Sequence, residues 1–399
     1  MDSTAPAPVL QCREERGARG ANPSAIMREP VAVIGTGTYL PGDPVPPEQV
    51  EEVLGRIHDL PPRIESRAAR MGTEVLSRAG IKHRHYAIDP TTRAQTETNA
   101  SMAEKAIRAA LEATGDPPDT IDLLICAGPM ADYFCPPTSA LVQDRLGIAR
   151  CTEIEIHSNC SGAPKGLQVA LDMIRGGRYA RAAVVYTQLS SAFLRGEFFN
   201  PQKVRLENLA LRWMLSDGAG ALILDRREGG LQLLDVFVES RGSGRPAAMI
   251  GGLTGALGME VTFNGSGMYP ALFESGQHHV WQDIGEVSRR APMHLLDGLK
   301  EMLDVTATPA SAVDHFLLGI PGRHFMTDAL REHFVNAVGG DPAKVPYDIE
   351  DFGYCGGATM FIQFDRLVRG GRLQSGDLIA AYLEESSKWM SGGFLAQQT

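Results

Sequence analysis

From Pro30 onward the chain alternates between short runs dense in aliphatic and β-branched residues and longer stretches in which apolar positions recur every three or four residues. Runs of the first kind are bounded by Gly, Pro, Asp or Asn and read as buried strands: VAVIGTGTYL from Val31, IDLLICAG from Ile121, EIEIHSN from Glu153 and AAVVYTQL from Ala182. Between them, AEKAIRAALEATG from Ala103, a segment from Ser139 to Leu146 and the stretch after Cys160 up to Arg175 carry helical spacing. Strand-helix alternation of this kind predicts an α/β protein with largely parallel, buried strands.

The pattern occurs twice. NCSGAPKGLQVALDMIRGGR from Asn159 and YCGGATMFIQFDRLVRGGR from Tyr354 each place a cysteine before a small-residue turn, run through an apolar segment and close on Arg-Gly-Gly-Arg. The spacing from cysteine to that closing motif is 15 residues in one and 14 in the other. IRAALEATGDPPDTIDLLICAGP from Ile107 and LLDGLKEMLDVTATPASAVDHFLLGIPG from Leu295 form a second pair, each a helix, a Pro-containing turn and a strand opened by Asp. Two pairs in the same order predict an internal duplication around a pseudo-twofold axis. The halves are expected at residues 29–228 and 229–399, with DRREGGLQ as a hairpin turn between two strands at the join. Residues 1–28, rich in Ala, Pro, Arg and Glu without periodicity, are expected to be a disordered leader; Met27 sits directly before the first strand signal.

Composition narrows the function. The 399 residues are 43% hydrophobic, enough for a substantial core, and carry a formal net charge of -10. That charge argues against nucleic acid, which needs a basic surface to neutralise phosphates. No run of about 18 apolar residues appears, so no membrane span is expected. The first thirty residues lack the apolar centre of a signal peptide, and a cytoplasmic location is expected. The six cysteines form no C-x-x-C pair, so free thiols are expected rather than bridges or a metal site.

Cys160 follows a strand and opens a helix through Ser161, Gly162 and Ala163. Unpaired N–H groups at a helix N-terminus favour a thiolate over a thiol, and small neighbours let a thioester carbonyl approach backbone donors. The pattern is that of an acyl-transfer nucleophile; a buried thiol serving helix–sheet packing is the alternative.

Several of these stretches resemble the thiolase superfamily, specifically the β-ketoacyl-ACP synthase III (initiating ketosynthase) branch: VAVIGTGTYLP, GIKHRHYA, DLLICAGPMADYFCPPTSALVQDRLG, EIHSNCSGAPKGLQVALDMIRGGRYARAAVVYTQ and LSDGAGALIL. The resemblance covers about residues 30 to 397. It implies an α/β, αβαβα layered sandwich of two duplicated halves, usually a homodimer. It also implies no bound cofactor, and an acyl donor that is acyl-CoA or the phosphopantetheine of an acyl carrier protein. By position the nucleophile is Cys160. The family's histidine falls on Gly319, Ile320 or Gly322, and its asparagine on Tyr354. Loss of one preorganised oxyanion donor typically costs about 3 kcal/mol of barrier, so ordinary malonyl condensation is expected to be crippled.

Three residues are therefore candidates for the site: Cys160 as nucleophile, and His324 and Tyr354 as groups that handle its proton. Cys355, the duplicate of Cys160, is a further thiol to place; His157, His278 and His279 are expected to be structural. The leading expectation is an acyltransferase that loads Cys160 and passes the group to a small-molecule acceptor in polyketide-type specialised metabolism. The alternatives are a decarboxylative 3-oxoacyl-ACP synthase and a catalytically silent ketosynthase partner subunit.

Overall fold

The computed structural model describes residues 29–251 and 268–399; the expected leader lies outside them, as does the start of FNGSGMYPALFESGQHHVW, a stretch whose apolar residues suit a tunnel mouth and a dimer contact equally. The first half comprises β1 (Val31–Tyr39), α1 (Asn99–Glu112), β2 (Leu123–Gly128), α2 (Thr138–Leu146), β3 (Thr152–His157), α3 (Gly162–Arg175), β4 (Arg181–Gln188) and β5 (Gly218–Arg226). The second comprises β6 (Leu231–Ser240), α4 (Ile284–Val305), β7 (His315–Leu318), α5 (Ala358–Arg369), β8 (Leu378–Glu385) and β9 (Met390–Gln398). The strands lie in the order β3-β2-β4-β5-β1-β6-β9-β8-β7. Read outward from the β1–β6 contact, the two sides match strand for strand, β5 with β9, β4 with β8 and β2 with β7.

Three apolar clusters divide the body into layers. The central one packs Ala163, Leu167, Ala170, Leu171 and Ile174 of α3 and Ala358, Phe361, Ile362 and Leu367 of α5 between the two half-sheets. A second cluster holds α1 and α2 against the outer face of the first half-sheet, and a third holds α4 against that of the second. This is the αβαβα sandwich. The repeated Arg-Gly-Gly-Arg has a plain cause: α3 and α5 both stop at it, and its second glycine takes a left-handed φ in each copy, 73° at Gly177 and 62° at Gly371.

Two expectations need correction. Parallel pairing is confined to β2 with β3 and β4 and to β7 with β8; the central strands pair antiparallel. Only the strands linked through a crossover helix run parallel, which hydrophobicity alone does not reveal. DRREGGLQ is not a hairpin either. Both β5 and β6 pair with β1, through Val31–Arg226 and Val33–Leu231, so the Gly229-Gly230 turn passes over the end of a strand already lying between them.

The two central helices begin beside one another. A Cβ built on Gly357 would sit 2.6 Å from the Cys160 carbonyl oxygen and equally close to the Tyr186 ring, so only glycine lets the second-half turn approach the first. Gly357→Ala is therefore expected to lower stability by about 1–3 kcal/mol, read as a fall in the denaturation midpoint at unchanged m-value. An unchanged midpoint would show that the turns have room to separate.

Candidate active site

Cys160 lies in the turn between β3 and α3, where the Gly162 N–H donates to the Asn159 carbonyl at 2.8 Å and the Lys165 N–H to the Ser161 carbonyl at 3.1 Å. It is half-buried and packs against the central apolar cluster. The Tyr354 hydroxyl stands 3.5 Å from that sulfur. Tyr354 is held there by its backbone, which pairs with Leu215 and accepts the Ser216 N–H at 3.0 Å, just before β5 begins. The glycine ahead of it, Gly353, has φ 83°, and a Cβ there would meet Ser216 at 2.7 Å. The chain thus delivers the tyrosine through a turn closed to other residues.

The opposite wall is the end of β8. Glu385 is buried, and its Oε2 accepts the Ser161 N–H at 2.9 Å, the Ser161 hydroxyl at 2.5 Å and the Ser158 hydroxyl at 3.1 Å. Its other oxygen accepts the Ser387 hydroxyl at 2.5 Å. Lys165, one turn into α3, donates to the Ser158 hydroxyl at 2.8 Å. Glu384 has a buried Oε1 with no hydrogen-bond partner among the described residues. Burial first, and then the neighbouring Glu385, hold its carboxyl well above the usual range.

These carboxyls change the electrostatics expected of Cys160. Burial pushes the thiol up to about 12, and the charges of Glu385 and Glu384 add to it, while the Tyr354 hydroxyl and the backbone N–H of Cys160 oppose. The expected thiolate is thus corrected to a resting thiol. The N-terminus of α3 does attract an anion, but the Ser161 N–H already serves Glu385. Burial, followed by the Cys160 sulfur, also pushes the Tyr354 phenol well above its ordinary value.

Of the three candidates, the structure brings Cys160 and Tyr354 together and leaves His324 apart. His324 is exposed in a short 3₁₀ turn, Arg323–Phe325, and its ring faces Gly80. Cys355 is buried and its thiol donates to the Asp217 carbonyl at 3.4 Å. His157 is exposed and its ring lies 3.0 Å from the Pro129 carbonyl, while His278 and His279 stack among Phe198, Phe199 and Phe273. The glycines where the family's histidine was sought are packed shut: a Cβ on Gly319 would lie 2.9 Å from that of Leu383, and one on Gly322 would lie 2.4 Å from the Ala79 carbonyl.

Sequence reasoning missed Glu384 and Glu385. The signal was present in LIAAYLEE, an otherwise apolar strand that ends in two acids before it leaves the core. The described residues contain no side-chain cluster able to hold a metal ion, and no helix among them is long and apolar enough to cross a membrane.

Residues 154–242, which contain the cysteine turn, α3, β4 and β5, match the family model for 3-oxoacyl-[acyl-carrier-protein] synthase III. Over 340 residues, 83% of this chain and 91% of the relative, the chain is 27% identical to the β-ketoacyl-[acyl-carrier-protein] synthase III of Erythrobacter litoralis. Among solved structures it superposes on the tetronic acid condensing enzyme AbyA1 with a TM-score of 0.70 at 23% identity, covering 92% of this chain and 99% of that one. It superposes on Xanthomonas campestris OleA with bound lauric acid and lauroyl-CoA with the same TM-score at 20% identity, covering 93% and 100%. The duplicated five-layer body is the fold of these solved structures, and the stretch around the cysteine at the mouth of the first central helix carries the sequence likeness, so the chain is β-ketoacyl-ACP synthase III-like in fold and in that stretch.

Proposed function

We propose that the protein is an acyltransferase that takes an acyl group from an acyl-ACP or acyl-CoA thioester onto Cys160 and passes it to a small-molecule acceptor in polyketide-type specialised metabolism. The observation that carries this reading is the Cys160 sulfur at the start of α3 with the Tyr354 hydroxyl 3.5 Å away. In the loading step the sulfur attacks the thioester carbonyl carbon, a bond from that carbon to Cys160 forms and the bond to the carrier sulfur breaks. The proton that Cys160 gives up ends on the released carrier thiol, so the step is balanced without a metal or redox partner.

Tyr354 supports this chemistry in two ways. Its hydroxyl lowers the cost of charge on the sulfur, opposing the effect of burial. It also stands where the proton must pass as the sulfur attacks. His324, exposed beside Gly80, has no part in the reading. The acyl donor class follows from the likenesses: the synthase III relatives are named for a carrier-protein substrate, and OleA was solved with lauroyl-CoA.

Incubation with lauroyl-CoA is expected to add one lauroyl group by intact mass, with the adduct at Cys160 and none in Cys160→Ala. A mass shift that survives the alanine substitution, or none with any acyl-CoA or acyl-ACP, would overturn the reading. Tyr354→Phe, which removes one hydrogen bond worth about 0.5–1.5 kcal/mol, is expected to slow adduct formation roughly three- to tenfold while leaving the final extent unchanged. An unaltered rate would reduce Tyr354 to a filler of the wall.

A further inference from the structure

A cation near the start of a helix stands where the backbone already presents partial positive charge, an unfavourable place unless an anion nearby offsets it. Lys165, the fourth residue of α3, is such a cation. Its ammonium donates to the Ser158 hydroxyl at 2.8 Å and reaches the Met390 Sδ, 3.3 Å away at the start of β9. The anion lies one hydrogen bond further on. Ser158 donates to Oε2 of Glu385 at 3.1 Å, and that buried carboxyl accepts also from the Ser161 N–H and from the Ser161 and Ser387 hydroxyls, all of them neutral groups. A buried carboxylate among neutral donors is costly, and a cation one bridging hydroxyl away reduces the cost.

The chemistry of these groups gives the chain of bonds a direction. An ammonium can only donate, so the Ser158 oxygen accepts from Lys165; its single O–H then turns to the Glu385 and Ser161 oxygens, each 3.1 Å away. Lys165 therefore sets the rotor of Ser158 as well as supplying charge. Ser158 and Ser161 flank Asn159 and Cys160 and both end on the same Glu385 oxygen, so what orders Ser158 also tightens the turn that carries the sulfur. The titratable groups around that sulfur are Tyr354, Tyr186, Glu384 and Glu385, none of them a cation. Lys165 is the cation that hydrogen bonds tie to them.

We propose that Lys165 is a positioning residue for acyl transfer: by committing the Ser158 hydroxyl toward Glu385 and placing a positive charge one serine away from that carboxylate, it holds the turn that presents Cys160 to the acyl donor and offsets the Glu385 charge beside the sulfur. It acts through Ser158 and Glu385 rather than on the reacting atoms.

This inference rests on acyl loading at Cys160, and the test keeps the two apart, because iodoacetamide alkylates the sulfur whether or not any thioester reacts. Lys165→Met keeps an unbranched apolar stem and removes the charge and the donors. It is expected to slow alkylation of Cys160 at pH 8 about three- to tenfold and to displace the pH profile upward, since loss of a nearby positive charge disfavours the thiolate. Loading from lauroyl-CoA is expected to slow in the same ratio, and Lys165→Arg to recover most of both rates. In a Glu385→Gln background the methionine substitution is expected to change alkylation less than about twofold, because the carboxylate through which Lys165 acts is gone. A wild-type profile or unslowed loading in Lys165→Met, no recovery by Lys165→Arg, or an equal loss with and without Glu385 would overturn the proposal. Should Lys165→Met fail to fold, Ser158→Ala, which breaks the chain between the two charges, gives the same reading: slower alkylation with Glu385 present and little change in Glu385→Gln. If alkylation follows this cycle but Cys160 accepts no acyl group from any acyl-CoA or acyl-ACP, Lys165 still orders the turn and acyl transfer fails.

Discussion

A helix N-terminus offers a few N–H groups and one partial positive charge, and at the start of α3 that offer is already taken by Glu385. The rest of the site follows from this occupancy. Because the Ser161 N–H and the Ser158 and Ser161 hydroxyls all point at one buried carboxyl oxygen, the turn carrying Cys160 is fastened to the end of β8. Burial, and then the charge that this carboxyl brings, push the thiol of the sulfur next door upward. The same interaction that positions Cys160 opposes its ionisation.

The duplication accounts for where these parts meet. α3 and α5 are related by the pseudo-twofold, lie in one central layer and start side by side, with Gly357 against the Cys160 carbonyl. Their cysteines have opposite fates. Cys355 is enclosed and bonded to the Asp217 carbonyl, whereas Cys160 is half-buried and faces a hydroxyl. The second copy contributes Tyr354 instead, the residue just before its own cysteine, along with the acids that end β8. One half supplies Cys160 and the other supplies the hydroxyl and the carboxyl that surround its turn.

Most of the architecture could be read from residue order, because helix and strand periods, the paired Arg-Gly-Gly-Arg stops and the repeated helix-turn-strand units are local signals. The antiparallel centre of the sheet could not, since nothing in DRREGGLQ tells that β1 lies between the strands it joins. Cys160 was legible from its turn, and Tyr354 from its place in a family block. The ionisation of Cys160 was not: the local rule for a helix N-terminus holds, but an acid 225 positions along the chain uses it first. His324 was singled out because it follows the altered histidine block, yet its ring faces Gly80. Glu384 and Glu385 are conspicuous only once β8 is known to end at the cysteine.

The central claim is that the anion position at the start of α3 is filled by Glu385, leaving Cys160 protonated at rest. It is tested most directly by the pH dependence of iodoacetamide alkylation, read at the Cys160 peptide by mass spectrometry in wild type and in Glu385→Gln. With the thiol pushed up to about 12, the wild-type rate should climb about tenfold per pH unit from about pH 6 to 9 without levelling. Removing the Glu385 charge should move the curve to lower pH. A wild-type plateau below about pH 8, unmoved by the substitution, would show a thiolate already seated at the helix end and contradict the account.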